Sequence, residues 1–103
     1  MGNQAELDVE LREVLQSNNT YFQPPATVRM KYPAIRYHKN PGAYRINAGD
    51  KLYRKMDQFE GVIIDRDPDS KIPDKLLERF PMCSLSPAYC ADNLNHFPFT
   101  IYY

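Results

Sequence analysis

Tryptophan is absent from these 103 residues, glycine occurs four times, cysteine and histidine twice each, and the formal charge sums to zero. Each shortage excludes something. There is no G-x-x-x-x-G-K-[ST], G-x-G-x-x-G or G-x-S-x-G string, so no loop is built to wrap a phosphate or to raise a nucleophilic serine. H-E-x-x-H is missing as well. Cys83 and Cys90 stand too far apart for C-x-x-C, and with His38 and His96 they lack the close-spaced pairs of a structural zinc site. Two buried, reduced thiols are the expectation, and no catalytic, cofactor-binding or metal-binding residue is assigned. A nucleophile pair of Cys90 with His38 or His96 is the alternative, but the reading is that the chain is not an enzyme.

No apolar run reaches the ~18 residues a membrane span needs. The start Met1-Gly2-Asn3-Gln4-Ala5-Glu6 has neither the basic nor the apolar region of a signal peptide, and it lacks the Ser or Thr of a myristoylation start. Synthesis and residence in a cytoplasm, with no membrane partner, are expected. Asp65-Arg66-Asp67-Pro68-Asp69-Ser70 sets carboxylates at alternate positions, as a calcium loop begins. Ser70 occupies the glycine position of such a loop, however, and Leu76 that of its bidentate Glu, so the segment reads as an acidic turn between a strand and a helix.

What is present is an ordinary globular composition, 43% apolar and 25% charged, with eight tyrosines among its aromatic residues. One domain spanning 1–103 follows from the length. The zero net charge hides a partition: between Arg29 and Lys55 there are eight Lys/Arg against one acid, Asp50. A surface patterned in this way can recognise a copy of itself. Tyr32, Tyr37, Tyr44 and Tyr53 lie within the basic segment and give it the look of a nucleic-acid surface, so a small DNA-binding accessory protein using residues 29–55 is the alternative function.

Periodicity organises the chain. Asn3 three residues before Glu6 starts a helix over 4–16, with Leu7, Leu11, Val14 and Leu15 on one stripe. A short strand at 20–22 stops at Pro24-Pro25, and alternation through Ile35 and Tyr37 predicts a strand over 34–39. Asn40-Pro41-Gly42 and Asn47-Ala48-Gly49-Asp50 predict a long exposed loop over 40–50. Residues 51–65 read as a strand, strongest at Val62-Ile63-Ile64. A helix over 73–80 follows Pro73, with Ile72, Leu76, Leu77 and Phe80 facing inward. Strands at 83–91, bulged or on an edge at Pro87, and 96–103 complete the chain. The fold class is α+β, a two-layer arrangement of a mainly antiparallel sheet with two helices packed on one face.

Four strings taken in order resemble a known family: Tyr21-Phe22-Gln23-Pro24-Pro25, Lys31-Tyr32-Pro33-Ala34-Ile35, Val62-Ile63-Ile64-Asp65-Arg66-Asp67-Pro68-Asp69-Ser70 and Asp92-Asn93-Leu94-Asn95-His96. They are similar to small tail completion, tail terminator or head-tail joining proteins of long-tailed bacteriophages. The resemblance implies a subunit like the lambda-type tail terminators: a structural virion protein of the neck, forming a homohexameric ring that caps the tail tube and joins it to the head. Its implied partners are itself, monomeric or ring-forming before assembly, the tail tube protein and a head-completion or connector protein, with genome DNA passing through the lumen. From the charge partition, Arg36, Lys39, Arg45, Lys51, Arg54 and Lys55 are expected to face acids such as Asp65, Asp67 and Asp69 of a neighbour, with Tyr44 and Ile46 as apolar anchors.

Overall fold

The structure, a computed structural model, describes the backbone of residues 3–48 and 51–103, with the side chains of 41–48 and 51–55 outside the described residues. The first helix, α1 (Gln4–Leu15), is capped by Asn3, whose side-chain oxygen accepts the Glu6 N–H at 2.9 Å. It ends one residue earlier than expected, because Gln16 takes the left-handed conformation, φ 59°, and its N–H returns to the Arg12 carbonyl. Leu7, Leu11, Val14 and Leu15 are its buried residues, the stripe read from the spacing.

β1 (Thr20–Phe22) lies parallel to β2 (Ala34–Ala48), the one parallel pair in the described sheet. Pairing in β2 begins at Ala34, directly after Pro33, which has no N–H to offer a ladder. β2 then runs antiparallel to β3 (Lys51–Asp65).

Here the expected loop over 40–50 is corrected. The backbone stays extended as far as Ala48, and Asn40-Pro41-Gly42 is absorbed as a register shift: Lys39 pairs with Phe59, Ala43 with Asp57, and three residues face Gln58 alone. Asn40 Nδ2 donates to Gln58 Oε1 at 3.1 Å across this irregularity. Residues strong in turn chemistry also suit a bulge, where a missing Pro donor and a flexible Gly cost nothing to the ladder.

α2 (Ile72–Arg79) has Pro73 in its first turn and buries Ile72, Pro73 and Leu76, with Phe80 buried just beyond. Leu77, expected inside, is 42% exposed, because the stripe 72, 76, 80 turns position 77 outward. The single strand expected over 83–91 is two short ones, β4 (Cys83–Leu85) and β5 (Tyr89–Ala91), split around Pro87 and both paired to β6 (Leu94–Tyr102). Asp92 and Asn93 join β5 to β6 with φ of 53° and 61°, the double positive φ of a type I′ hairpin turn.

The sheet order is β1-β2-β3-β6-β4, with β5 also on β6. Odd-numbered residues of the central strands, Ile35, Tyr37, Phe59, Ile63, Phe99 and Ile101, meet Leu7, Leu11, Leu76 and Phe80 in one core. The molecule is therefore α+β, a mainly antiparallel six-stranded sheet with both helices on one face. Among the described residues the other face carries no helix, and β2 and β3 run on past the sheet as a two-stranded ribbon.

Candidate interaction surfaces

On the helix side, polar groups serve the fold. Tyr37, 1% exposed, donates its hydroxyl to Asp8 Oδ1 at 2.6 Å and accepts from Gln4 Nε2 at 2.8 Å, and Asp8 pairs with Arg12 at 2.9 Å. Burial first, then the Asp8 bond, pushes the Tyr37 phenol up and keeps it a neutral donor. Arg79 of α2 grips Glu10 at 2.9 Å and Glu13 at 3.3 Å on α1, and the Tyr103 hydroxyl donates to Glu10. The Tyr103 bond, with Arg79 beside it, holds the Glu10 carboxyl below its ordinary value. Burial and Glu10 push Tyr103 up to about 12.

Cys83 is partly buried, and burial pushes its thiol up to about 11. Cys90 is exposed, against the expectation of two buried thiols, because the short β5 places it at the margin of the sheet. Among the described residues no three His, Cys, Asp or Glu converge as a metal site, and no helix is long and apolar enough to cross a membrane.

On the helix-free side, where Ala34, Val62 and Ile64 are nonetheless buried, cross-strand register arranges even-numbered residues of β2, β3 and β6 in rows. His38 stands opposite Glu60 and Glu60 opposite Thr100; one step along, Arg36 faces Val62 and Val62 faces Pro98; beyond that, Ala34, Ile64, His96 and Tyr89 form a third row. The Tyr89 ring stacks flat on His96, centroids 4.8 Å apart and planes within 10°, and raises a wall beside the middle row. A groove of about 320 Å³ results, lined by Arg36, His38, Glu60, Val62, Tyr89 and Pro98 among others. His38 Nε2 lies 3.9 Å from Glu60 Oε2, whereas Arg36 is exposed and has no ion pair among the described residues.

The residues singled out from the sequence divide between four places. Arg36 lies in the groove. Lys39 is answered by its own chain, 3.2 Å from Asp57, rather than left for a neighbour. Tyr44, Arg45, Ile46, Lys51, Arg54 and Lys55 belong to the ribbon by backbone position, with side chains outside the described residues. The register sets Arg45 opposite Lys55 and Ile46 opposite Arg54.

Asp65, Asp67 and Asp69 form a compact turn at the far end of β3. Asp65 Oδ1 accepts the Asp67 N–H at 3.2 Å and Asp67 Oδ1 accepts the Asp69 N–H at 2.9 Å, so the carboxylates shape the turn as well as charging it. Asp67, Pro68 and Asp69 are exposed and make no ion pair among the described residues. His38, Glu60, Val62, Tyr89 and Pro98 were not legible as a site, because they converge only through the β2-β3-β6 register; the alternation 60, 62, 64 and 96, 98, 100 was the available signal. Compared with family models, curated proteins and solved structures, the chain matches none.

Proposed function

We propose that this chain is a ring subunit of a long-tailed phage neck, which ends growth of the tail tube and joins the tail to the head. The observation that carries the reading is the ribbon. Beyond Asp57, which exchanges backbone hydrogen bonds with Tyr103 at 3.1 and 3.0 Å, β3 leaves β6, and β2 has already left β1 at Tyr37. A two-stranded hairpin is marginal in water on its own, and like charges directly opposite, as Arg45 and Lys55 are by register, weaken it further. An acidic partner surface reverses both penalties. A ring subunit needs such an extension to reach its neighbour or the next ring, and a heterologous contact whose rotation closes.

The resemblance to tail completion and terminator proteins supplies the setting, and the charge partition supplies the attraction. Rim ion pairs of this kind steer assembly, while apolar anchors hold it. Electron microscopy of particles made without this chain tests the role: unattached heads beside overlong or uncapped tails are expected, and fully joined infectious particles refute it. The cationic ribbon also suits a DNA-binding accessory protein, which would show DNA retention whose salt dependence scales with the cations engaged.

A further inference from the structure

We infer that the groove on the helix-free sheet face is a docking site for the acidic turn Asp67-Pro68-Asp69 of a second copy of this chain, an inference that rests on the ring reading above. Arg36 is exposed in the groove without an anionic partner among the described residues, and a guanidinium offers a planar fork suited to a carboxylate. His38 adds a second polar group on the same strand, two residues along. Between these groups and the Tyr89–His96 stack lies an apolar floor of Val62 and Pro98. It suits a small rigid ring better than a flexible chain.

The turn has the complementary order. Its carboxylates flank a proline, all three residues are exposed, and the Asp65 and Asp67 bonds to backbone N–H groups fix its shape before any partner arrives. Preorganisation of this kind lowers the ordering cost of binding. Pro68 seats on Pro98 against Tyr89, over the largely buried Val62, and Asp69, whose carboxylate is not used within the turn among the described residues, reaches Arg36. Glu60, on the groove's edge, repels an acid placed too close to β6 and so biases the carboxylate toward the β2 side. The donor turn ends β3 while the acceptor lies mid-sheet, so the contact is head-to-tail and leaves one free groove and one free turn at the two ends of an open assembly until a ring closes.

A charge-swap cycle tests this by sedimentation velocity at concentrations up to ~1 mM, with circular dichroism as the check on folding, since both swapped residues are exposed. Arg36→Glu and Asp69→Arg, the latter a carboxylate that takes no part in the turn's own bonds among the described residues, each should weaken self-association by about tenfold or more, and the double variant should return it to within about threefold of the parent. Unchanged association in both single variants overturns the docking while leaving a ring by other contacts intact. Loss in the singles without recovery in the double overturns the pairing of these two residues. A parent chain that stays monomeric throughout overturns the docking as well, and the ring reading then stands or falls on particles made without the protein.

Discussion

Gly61 sits at the middle of β3 because its neighbours leave no room for anything larger. A Cβ there would lie 2.5 Å from the Phe99 ring, 2.7 Å from the Arg36 carbonyl oxygen and 2.7 Å from the Tyr37 Cβ. Two of those three atoms belong to backbone or to a fixed Cβ and cannot swing aside. Gly61→Ala should therefore cost about 1–3 kcal/mol of stability, read as a lowered urea midpoint, by forcing β2 and β6 off β3. An unchanged midpoint would mean that the strands are looser here than these distances require.

The Glu10, Arg79 and Tyr103 cluster ties α1, α2 and the end of the sheet together, and its pH dependence has a defined sign. Glu10 is held below its ordinary 4.5, so its contribution is complete above that value and is lost as pH falls through the lower folded value. Tyr103 is raised from 10.0 to about 12, so its contribution is complete below 10.0 and is lost as pH rises through about 12. Glu10→Gln should flatten the acid limb of a stability-against-pH curve, measured by denaturant midpoints. A variant curve parallel to the parent's as pH falls from 4.5 through the acid limb would show that the Glu10 carboxylate contributes nothing there.

At the scale of elements, both helices and the sheet strands near the core were readable, because burial imposes a period that survives in the sequence. Leu7, Leu11, Val14 and Leu15 repeat at helical spacing, and Phe97, Phe99 and Ile101 alternate. Where turn residues sit inside a strand, the reading failed. The segment after Lys39 carries Asn40-Pro41-Gly42 and Asn47-Ala48-Gly49-Asp50, so its turn residues dominated the signal, yet the ladder with β3 continues to Ala48. Leu77 was placed inside because hydrophobicity alone does not say which of two adjacent leucines lies on the stripe. Arg36 could be named from composition, but its groove depends on cross-strand register, which no local pattern encodes.

The ribbon is a separable element on this account. Replacing residues 43–55 by a short turn should leave the melting temperature of the body within a few degrees, since the core residues among the described ones, Met56 included, lie outside that stretch. The same truncation should remove association with acidic partners. A large fall in melting temperature would instead assign the ribbon a part in folding the monomer.

For the molecule as a whole, the longest dimension is 50 Å against 27 and 22 Å, and the radius of gyration of 14.4 Å exceeds the ~13 Å of a compact chain of this size. A fifteen-residue strand at about 3.3 Å per residue is itself about 50 Å long, so the β2–β3 hairpin accounts for the elongation. Charge follows the same axis in the sequence, with cations concentrated through the ribbon and acids at the opposite end of β3. An elongated subunit with unlike ends favours head-to-tail contacts over the self-complementary contacts of a two-fold dimer.

The most direct measurement of the proposed role is a cryo-electron microscopy reconstruction of the head-tail neck in phage particles assembled in the presence of this chain. The account predicts a closed ring of copies between tail tube and head, with the ribbon against an acidic neighbouring surface. A neck with no copy of the chain in it would contradict the account.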